Sequence, residues 1–94
     1  MELWLDDVRK PPEYGDYVWA KTAEEAIDLL QEGQVTFASL DHDLGFGGSG
    51  YDVVCFMERT GIWPKDGVVV HSMNPVGRQY MQMAIDRHYG GMRR

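Results

Sequence analysis

Four short apolar runs, separated by loops and helical patterns, constrain the fold of this chain more than any other feature. The runs have the length of strands rather than of helices, and they are Met1–Leu5, Tyr17–Ala20, Val35–Leu40 and Gly67–Ser72. Strands that alternate with helices form parallel sheets with right-handed crossovers, so the pattern predicts an α/β fold. The first run is apolar enough for a central strand, and the most economical strand order is 2-1-3-4.

Capping signals and apolar stripes predict a helix after each of the second, third and fourth strands. The predicted helices run from the Thr22 cap to Gly33, from Ser49 or Gly50 to about Thr60, and from the Asn74 cap, with Pro75 in first position, to about Gly90. Their predicted buried stripes are Ala23, Ala26, Ile27 and Leu30; Val53, Val54, Phe56 and Met57; and Val76, Tyr80, Met83 and Ala84. The fourth strand is continuously apolar, which predicts that both of its faces are covered.

The composition excludes several classes of protein. At 94 residues with 44% hydrophobic content, the chain is expected to form a single domain over residues 1–94 with its own core. A net charge of -6 argues against a DNA-binding or an anionic-membrane-binding protein. The lone Cys55 excludes an intrachain disulfide, and no signal peptide or spanning segment is visible. A soluble cytoplasmic protein is therefore expected.

Ionisable side chains follow three of the four predicted strands. The pair Asp6–Asp7 follows the first strand, Asp41–Asp43 with its central histidine follows the third, and His71–Ser72 ends the fourth. Ligands of open α/β sheets bind outside the carboxyl ends of the strands. Strands one and three are neighbours in the order 2-1-3-4, so the two acidic groups are predicted to meet at this edge. Such a concentration of charge is costly unless a cation or a substrate uses it.

The acidic residues are the candidate ligands of a divalent cation. Carboxylate oxygens suit Mg²⁺, and a nearby histidine favours Mn²⁺ or another transition metal. The predicted ligands are Asp6, Asp7, Asp41 and Asp43. A bound cation would neutralise phosphate charge and lower the pKa of a bound water. His42 and His71 are the candidates for proton transfer, because histidine titrates near neutral pH, and Asp41 is the central catalytic carboxylate.

Four further residues are candidates for binding phosphate. Ser72 and the amides around Asn74 would lie at a helix N-terminus, which is a natural site for an anion. Arg9 and Arg78 carry the guanidinium groups best suited to bidentate phosphate contact. Together with the acidic group, these residues predict a site for a small phosphorylated ligand.

Each of these residues also has a structural interpretation. An acidic pair after a strand is commonly a solvated turn, and His42 could serve only to orient an aspartate. His71 follows three valines and could be a hydrogen-bonded core histidine. Asn74 is a helix cap whatever else it does, and Arg78 could be a solvated helix residue. The glycines between Gly45 and Gly50 lack the spacing of a P-loop, so they indicate a flexible connection rather than a nucleoside triphosphate site.

Three sequence motifs resemble a known family. The chain resembles two-component receiver domains at three places. Leu5-Asp6-Asp7 is similar to their metal-binding acidic pair, and Asp41, after the third strand, is similar to their phospho-acceptor. Ser72, after the fourth strand, is similar to their hydroxyl residue. The closer resemblance is to the cyclic-phosphate-processing receiver domains, whose motifs match Leu5–Arg9, Leu40–Gly45 and His71–Gly77. The resemblance implies a receiver-like (flavodoxin-like) three-layer fold, here with a truncated four-stranded parallel sheet and three helices.

The same resemblance implies a function and leaves alternatives open. The leading hypothesis is a metal-dependent phosphoesterase for a cyclic phosphate, such as a cyclic nucleotide or oligonucleotide second messenger of bacterial or phage immune conflict. A non-catalytic protein that sequesters such a ligand is the second hypothesis. The third is a degenerate signalling receiver phosphorylated on Asp41, which the missing fifth strand and its missing lysine disfavour. A small domain has little room to enclose a large ligand, and a homo-oligomer with its pocket between chains would solve this.

Overall fold

The structure is a computed structural model that describes residues 1–92. Its elements are β1 (Glu2–Leu5), β2 (Tyr17–Ala20), α1 (Ala23–Gln31), β3 (Phe37–Leu40), α2 (Gly50–Thr60), β4 (Val68–Val70) and α3 (Pro75–Met92). The four strands form one sheet in the order β2-β1-β3-β4, and every neighbouring pair is parallel. The predicted α/β fold, strand order and three helices are therefore confirmed. No helix of the described residues is both long enough and apolar enough to cross a membrane.

The register of the sheet places the carboxyl ends of three strands level with one another. Leu5 of β1 pairs with Leu40 of β3, and Leu40 pairs in turn with Val70 of β4. The backbone pairing continues for one more step, because the amide of Asp41 donates to Leu5 and the amide of His71 donates to Leu40, both at 2.9 Å. The residues that follow the three strands consequently share one edge of the sheet.

The helix boundaries follow from local capping. Thr22 accepts a hydrogen bond from the Glu25 amide before α1, and Ser49 forms a reciprocal capping box with Asp52 before α2. Helix α2 ends at Gly61, whose φ of 75° is a left-handed conformation that glycine adopts at little cost. The predicted stripe of α2 is fully buried, as are Ala23, Ala26 and Leu30 of α1. Ile27, the fourth residue of the predicted stripe of α1, is partly buried and packs against the core. Both helices were therefore predicted to within about two residues of their observed bounds.

Helix α3 presents a different face to the core from the predicted one. Three of the four predicted residues, Val76, Tyr80 and Met83, are exposed, and only Ala84 is buried. The buried residues of the helix are instead Gly77, Met81, Ala84 and Ile85. They lie at i, i+4, i+7 and i+8, which is a single helix face. The prediction was wrong because apolar side chains occur on more than one face of this helix, so their spacing did not distinguish the exposed Val76, Tyr80 and Met83 from the buried Met81 and Ile85.

The sheet is covered by helices on one side. Alternate residues such as Leu3, Leu5, Ala38 and Leu40 are fully buried, whereas their neighbours Glu2, Trp4 and Phe37 are half-buried. Ser39 is also buried, but its hydroxyl contacts the His71 side chain and not a helix. Helix α2 packs against both α1 and α3, so the three helices form one layer. Right-handed crossovers that all advance in the same direction, from β2 to β3 to β4, place their helices on the same face. The predicted third layer is accordingly not found among residues 1–92.

The exposed side of β4 follows from the same arrangement. Val68 is buried against the helices, but the side chain of Val69 points to the uncovered face and is 45% exposed. The prediction that both faces of this strand are covered was therefore wrong. An apolar run of three valines is equally compatible with a strand at the edge of a half-covered sheet.

Gly50, the first residue of α2, allows this helix to approach the end of β3. A Cβ atom at Gly50 would lie 1.9 Å from the carbonyl oxygen of Asp41 and 2.7 Å from the Met81 side chain. The contact with backbone cannot be relieved by a side-chain rotation. This glycine therefore fixes the distance between α2 and the acidic edge of the sheet.

We expect Gly50→Ala to destabilise the fold by about 3 kcal/mol or more, because the overpacked methyl group must displace backbone. Gly90→Ala is the matched control, since a Cβ at Gly90 meets no atom within 4 Å. The control should be up to about 1 kcal/mol more stable than the wild type, because alanine favours a helix over glycine. Urea unfolding midpoints of the two variants check both expectations, and equal stabilities would contradict this account of Gly50.

Candidate functional site

Three carboxylates meet at the carboxyl edge of the sheet. One oxygen from each of Asp6, Asp7 and Asp41 lies within 4.8 Å of the other two. Asp6 and Asp41 occupy equivalent positions immediately after the paired residues Leu5 and Leu40. The structure thus brings together three of the four residues predicted to hold a metal, and it places the fourth, Asp43, in a different group.

Asp6 is the most buried member of this acidic group, with 1% of its surface exposed. Its Oδ1 accepts hydrogen bonds from the amides of Val8 at 2.9 Å and Arg9 at 2.8 Å, and its Oδ2 lies 3.1 Å from Nε2 of His71. Burial alone would raise the pKa of Asp6, but the two amides and His71 together hold the pKa below its usual value of 3.8. The carboxylate is therefore ionised and fixed in position.

His71 joins the acidic group to the interior of the sheet. Its Nε2 faces Asp6, its Nδ1 lies 2.8 Å from Oγ of Ser39, and its ring stacks on Trp4 with centroids 4.0 Å apart. An ionised carboxylate only accepts hydrogen bonds, so Nε2 carries the proton and Nδ1 accepts from the Ser39 hydroxyl. Burial lowers the pKa of His71, although the neighbouring Asp6 acts in the opposite direction. Both nitrogens are engaged, and this arrangement orients Asp6.

Asp41 and Asp7 complete the acidic group from two loops. The Oδ1 atom of the buried Asp41 accepts a hydrogen bond of 2.8 Å from the amide of His42. Asp7 lies against Gly45, where a Cβ would be 3.4 Å from the carboxylate of Asp7. Gly45 has a φ of 58°, so a left-handed turn in the loop after β3 lets its backbone pass close to Asp7.

A second polar cluster surrounds His42. Its Nδ1 lies 2.8 Å from Oδ1 of Asp43, and Nδ2 of Asn74 donates to the same oxygen at 3.3 Å. The hydrogen bonds from His42 and from Asn74 lower the pKa of Asp43. Because the ionised carboxylate accepts from Nδ1–H, the Nε2 atom of His42 carries the free lone pair. Among residues 1–90, whose side chains the structure describes, none forms a hydrogen bond with this Nε2.

Gly77 provides the surface against which the His42 ring rests. A Cβ at this position would lie between 2.3 and 2.6 Å from three atoms of the imidazole. Asn74 caps α3 at the same place, since its Oδ1 accepts from the amides of Val76 at 3.1 Å and Gly77 at 3.0 Å. The cap was predicted, but its second role, holding Asp43 through the amide nitrogen, was not.

The candidate phosphate-binding residues separate into two places. Arg9 lies at the acidic edge, with its Nε 3.5 Å from Asp6 and an Nη within 3.5 Å of the His71 carbonyl. Ser72 is buried, and its hydroxyl accepts from the Asn74 amide at 3.0 Å. Arg78 lines a separate groove of about 580 Å³ beside α3, none of whose lining residues belongs to the acidic group. The structure thus places Arg9, and not Arg78, beside the three carboxylates.

Sequence reasoning missed three residues that shape the site, namely Ser39, Trp4 and Gly77. Ser39 and Trp4 pair across β1 and β3 on the uncovered face, where they support the ring of His71. A hydroxyl inside an otherwise apolar strand was the available signal for Ser39, because a buried hydroxyl needs a partner. Gly77 lies in the matched motif and inside a helix, where an interior glycine usually has a packing reason.

The acidic group fits a hard divalent cation. Its donor atoms are all carboxylate oxygens, which Mg²⁺ and Mn²⁺ prefer, and Mg²⁺ commonly takes only one or two carboxylates and keeps several waters. Asp6, Asp7 and Asp41 are the residues that would hold such an ion. His42 and Asp43 are hydrogen-bonded to each other outside this group.

A parallel sheet in the order 2-1-3-4, with three carboxylates at its carboxyl edge, is the arrangement of a receiver-like α/β domain. Residues 1–87 match the family model of the cyclic-phosphate processing receiver domain. The chain therefore belongs to that family, as its motifs predicted. Comparisons with curated proteins and with solved structures found no significant match.

The neutral state of His71 predicts how stability depends on pH in metal-free protein. Burial lowers the pKa of His71 below 6.5 against the opposing effect of Asp6 and Asp41, while Arg9 lowers it further. Protonation of His71 is therefore less favourable in the folded state than in the unfolded state. The contribution of neutral His71 to the free energy of unfolding is fully present above about pH 6.5, and it is lost as the pH falls through the lower pKa of the folded state.

Urea unfolding in EDTA should accordingly show less stability at pH 5 than at pH 7.5. His71→Gln should reduce this difference, because glutamine does not titrate. His88→Gln is the control, since His88 stacks on Trp63 away from the acidic group, and it should leave the pH dependence in place. If His71→Gln and the wild type lose the same free energy between these two pH values, His71 is not the residue responsible.

Proposed function

We propose that this protein is a metal-dependent phosphoesterase that opens a cyclic phosphate, such as that of a cyclic nucleotide. The observation that carries the proposal is the group of Asp6, Asp7 and Asp41, whose oxygens lie within 4.8 Å of one another. His42, which follows Asp41 in the chain, uses its Nδ1 to bond Asp43 and keeps Nε2 free of side-chain partners among residues 1–90. Membership of the cyclic-phosphate processing receiver family supports the substrate class. The proposed cofactor is Mg²⁺ or Mn²⁺.

Each residue of the site has a distinct role in the proposed hydrolysis. A bound divalent cation would supply charge neutralisation and a more acidic water. Asp6, Asp7 and Asp41 would hold the ion, and Arg9 would contact the phosphate oxygens at the same edge. In the reaction, a water oxygen attacks phosphorus and one ester P–O bond of the ring breaks. His42 takes the proton of the water on Nε2 and returns it to the leaving alkoxide.

The two histidines have different roles in this proposal. Asp43 and Asn74 fix the ring of His42 and leave Nε2 available for proton transfer. Neither ring nitrogen of His71 is available for proton transfer, because Nε2 is hydrogen-bonded to Asp6 and Nδ1 to Ser39. A histidine that holds a metal-binding carboxylate affects metal affinity more directly than it affects the chemical step. We therefore assign His71 to the positioning of Asp6.

Apolar side chains around the acidic edge favour a ligand with a planar ring. Val8 and Phe46 follow β1 and β3 respectively, and both are largely or fully exposed to solvent. Met73, which follows β4, lines the separate groove beside α3. Phe46 sits on a turn closed by the hydrogen bond from the Gly47 amide to Leu44, and the Gly47 carbonyl accepts from Ala23. A solvent-exposed aromatic side chain on such a turn can stack on a nucleobase. The proposal therefore favours a nucleotide over a cyclic sugar phosphate.

A cation that binds only the folded protein should raise its melting temperature. Three carboxylates in one group repel one another, and a saturating ligand stabilises the native state by mass action. We expect excess Mg²⁺ or Mn²⁺ to raise the melting temperature by several degrees relative to EDTA. Asp41→Asn should abolish most of the shift, whereas Glu32→Gln, at the end of α1, should retain it. Superimposable melts of the wild type with and without metal would exclude a site of useful affinity.

Turnover measurements on a panel of cyclic nucleotides separate hydrolysis from binding. Asp41→Asn should lose about 10²-fold or more in rate, because the water and the phosphate lose their alignment. His42→Ala should lose roughly 10²–10⁴-fold in kcat as a proton-transfer residue, at an unchanged metal affinity. His71→Ala should mainly raise the metal concentration required. Phe46→Ala should raise KM for nucleotides by about 5-fold or more and leave a base-free ribose cyclic phosphate unaffected.

The control for these variants is again Glu32→Gln, which should match the wild type in kcat and KM. An Asp41→Asn protein that hydrolyses as fast as the wild type would show that the acidic group is not the catalytic centre. Measurable nucleotide affinity without turnover at any metal concentration would reject the esterase and identify a sequestering protein instead.

A further inference from the structure

Strand β4 forms an edge of the sheet and has no neighbour on its outer side within residues 1–92. The strand consists of three valines, Val68–Val70, and contains none of the charged residues, prolines or bulges that commonly block edge pairing. Its central residue, Val69, is 45% exposed. An apolar edge of this kind is a template for a further strand.

The backbone of β4 shows which groups are available at this edge. The carbonyl of Gly67 and the amide of His71 bond to β3, and alternate residues of a strand bond to the same neighbour. Gly67, Val69 and His71 therefore face β3. Val68 and Val70 direct their N–H and C=O groups outward, which leaves two donors and two acceptors symmetrically placed about Val69.

The groove beside this edge has opposite charges at its two ends. A cavity of about 800 Å³ runs along β4 and α3 from Lys65 and Asp66 to Arg78. Helix α3 begins just after β4, and the Tyr89 hydroxyl near its other end donates to the Pro64 carbonyl at 2.6 Å, so the helix runs back along the strand. Arg78 therefore lies at the carboxyl end of β4, while Lys65, Asp66 and Asp86 lie at the amino end and leave it with one net negative charge.

We propose that a second copy of this chain occupies the groove, with the two β4 strands paired antiparallel about a two-fold axis at Val69. In this arrangement Val68 of each copy pairs with Val70 of the other, and all four outward-facing groups on each strand are satisfied. Antiparallel pairing also places Arg78 of one copy opposite Asp66 and Asp86 of the other. Two three-residue strands form a small interface, so the grooves on both copies supply the remaining contact area.

The proposed dimer is independent of the proposed hydrolysis. It joins the two sheets into one continuous sheet of eight strands, and it places the two acidic edges at opposite ends because the strands run in opposite directions. Each site is then built from the residues of one copy. The dimer therefore satisfies the open edge of the sheet without forming a pocket shared between chains.

Cross-linking tests the two-fold axis directly. Opposed residues in a non-hydrogen-bonded antiparallel pair have Cα atoms about 4.5 Å apart, which a disulfide can span. In a Cys55→Ala background, Val69→Cys should form a disulfide-linked dimer on mild oxidation. Val18→Cys is the matched control, since Val18 is the equivalent inward-bonded residue of the opposite edge strand β2 and is 36% exposed. The control should remain monomeric, and equal cross-linking of both variants would contradict the proposal.

Sedimentation equilibrium of the wild type gives the independent measurement. We expect a reversible dimer that Val70→Pro dissociates, because this proline removes an outward N–H and no bond to β3. Circular dichroism checks that the variant remains folded. Arg78→Asp should weaken the dimer at least about tenfold through like-charge repulsion, and the double variant Arg78→Asp with Asp86→Arg should recover it. A wild type that stays monomeric up to about 1 mM would overturn the proposal.

Discussion

The register between β1, β3 and β4 is the constraint on which the rest of the structure depends. Since Leu5, Leu40 and Val70 lie in one row, the next residues, Asp6, Asp41 and His71, emerge side by side. A shift of one residue in either pairing would turn every buried side chain of that strand to the uncovered face. The hydrophobic core therefore determines the geometry of the acidic group, although none of the acidic residues contributes to the core.

The polar contacts around Asp6 show how a buried charge is tolerated at this edge. Two backbone amides, a histidine and a guanidinium surround the carboxylate, and His71 in turn is held by Ser39 and Trp4. Such a network stabilises the fold only when every polar group in it has a partner, because burying an unpaired polar or charged group costs free energy. Among the described residues, every buried side-chain nitrogen and oxygen has a partner. The network fixes one member of the acidic group and leaves Asp7 and Asp41 to complete it.

Much of the fold and part of the site could be predicted from the sequence. The strand order and the meeting of Asp6, Asp7 and Asp41 follow from apolar runs, capping signals and the rules of parallel sheets. The position of Asp43 could not be predicted, because the direction of a side chain in a loop depends on contacts such as Asn74 and not on spacing. The inward face of α3 was predicted wrongly because apolar side chains lie on both its exposed and its buried faces, so the spacing alone did not single out Met81 and Ile85. The single helical layer could have been inferred, because the crossovers advance in one direction.

The contact between Gly77 and His42 links the backbone of α3 to the position of the imidazole. The ring rests on a helix that leaves no clearance, since even one added carbon would overlap it. A small displacement of the first turn of α3 would therefore move the ring, or release it, without any change in the side chains that bond to it. The same helix borders the groove beside β4. The positions of residues 42 and 77 are therefore coupled. A larger residue at position 77 would be compatible with the fold only if the residue at position 42 became smaller.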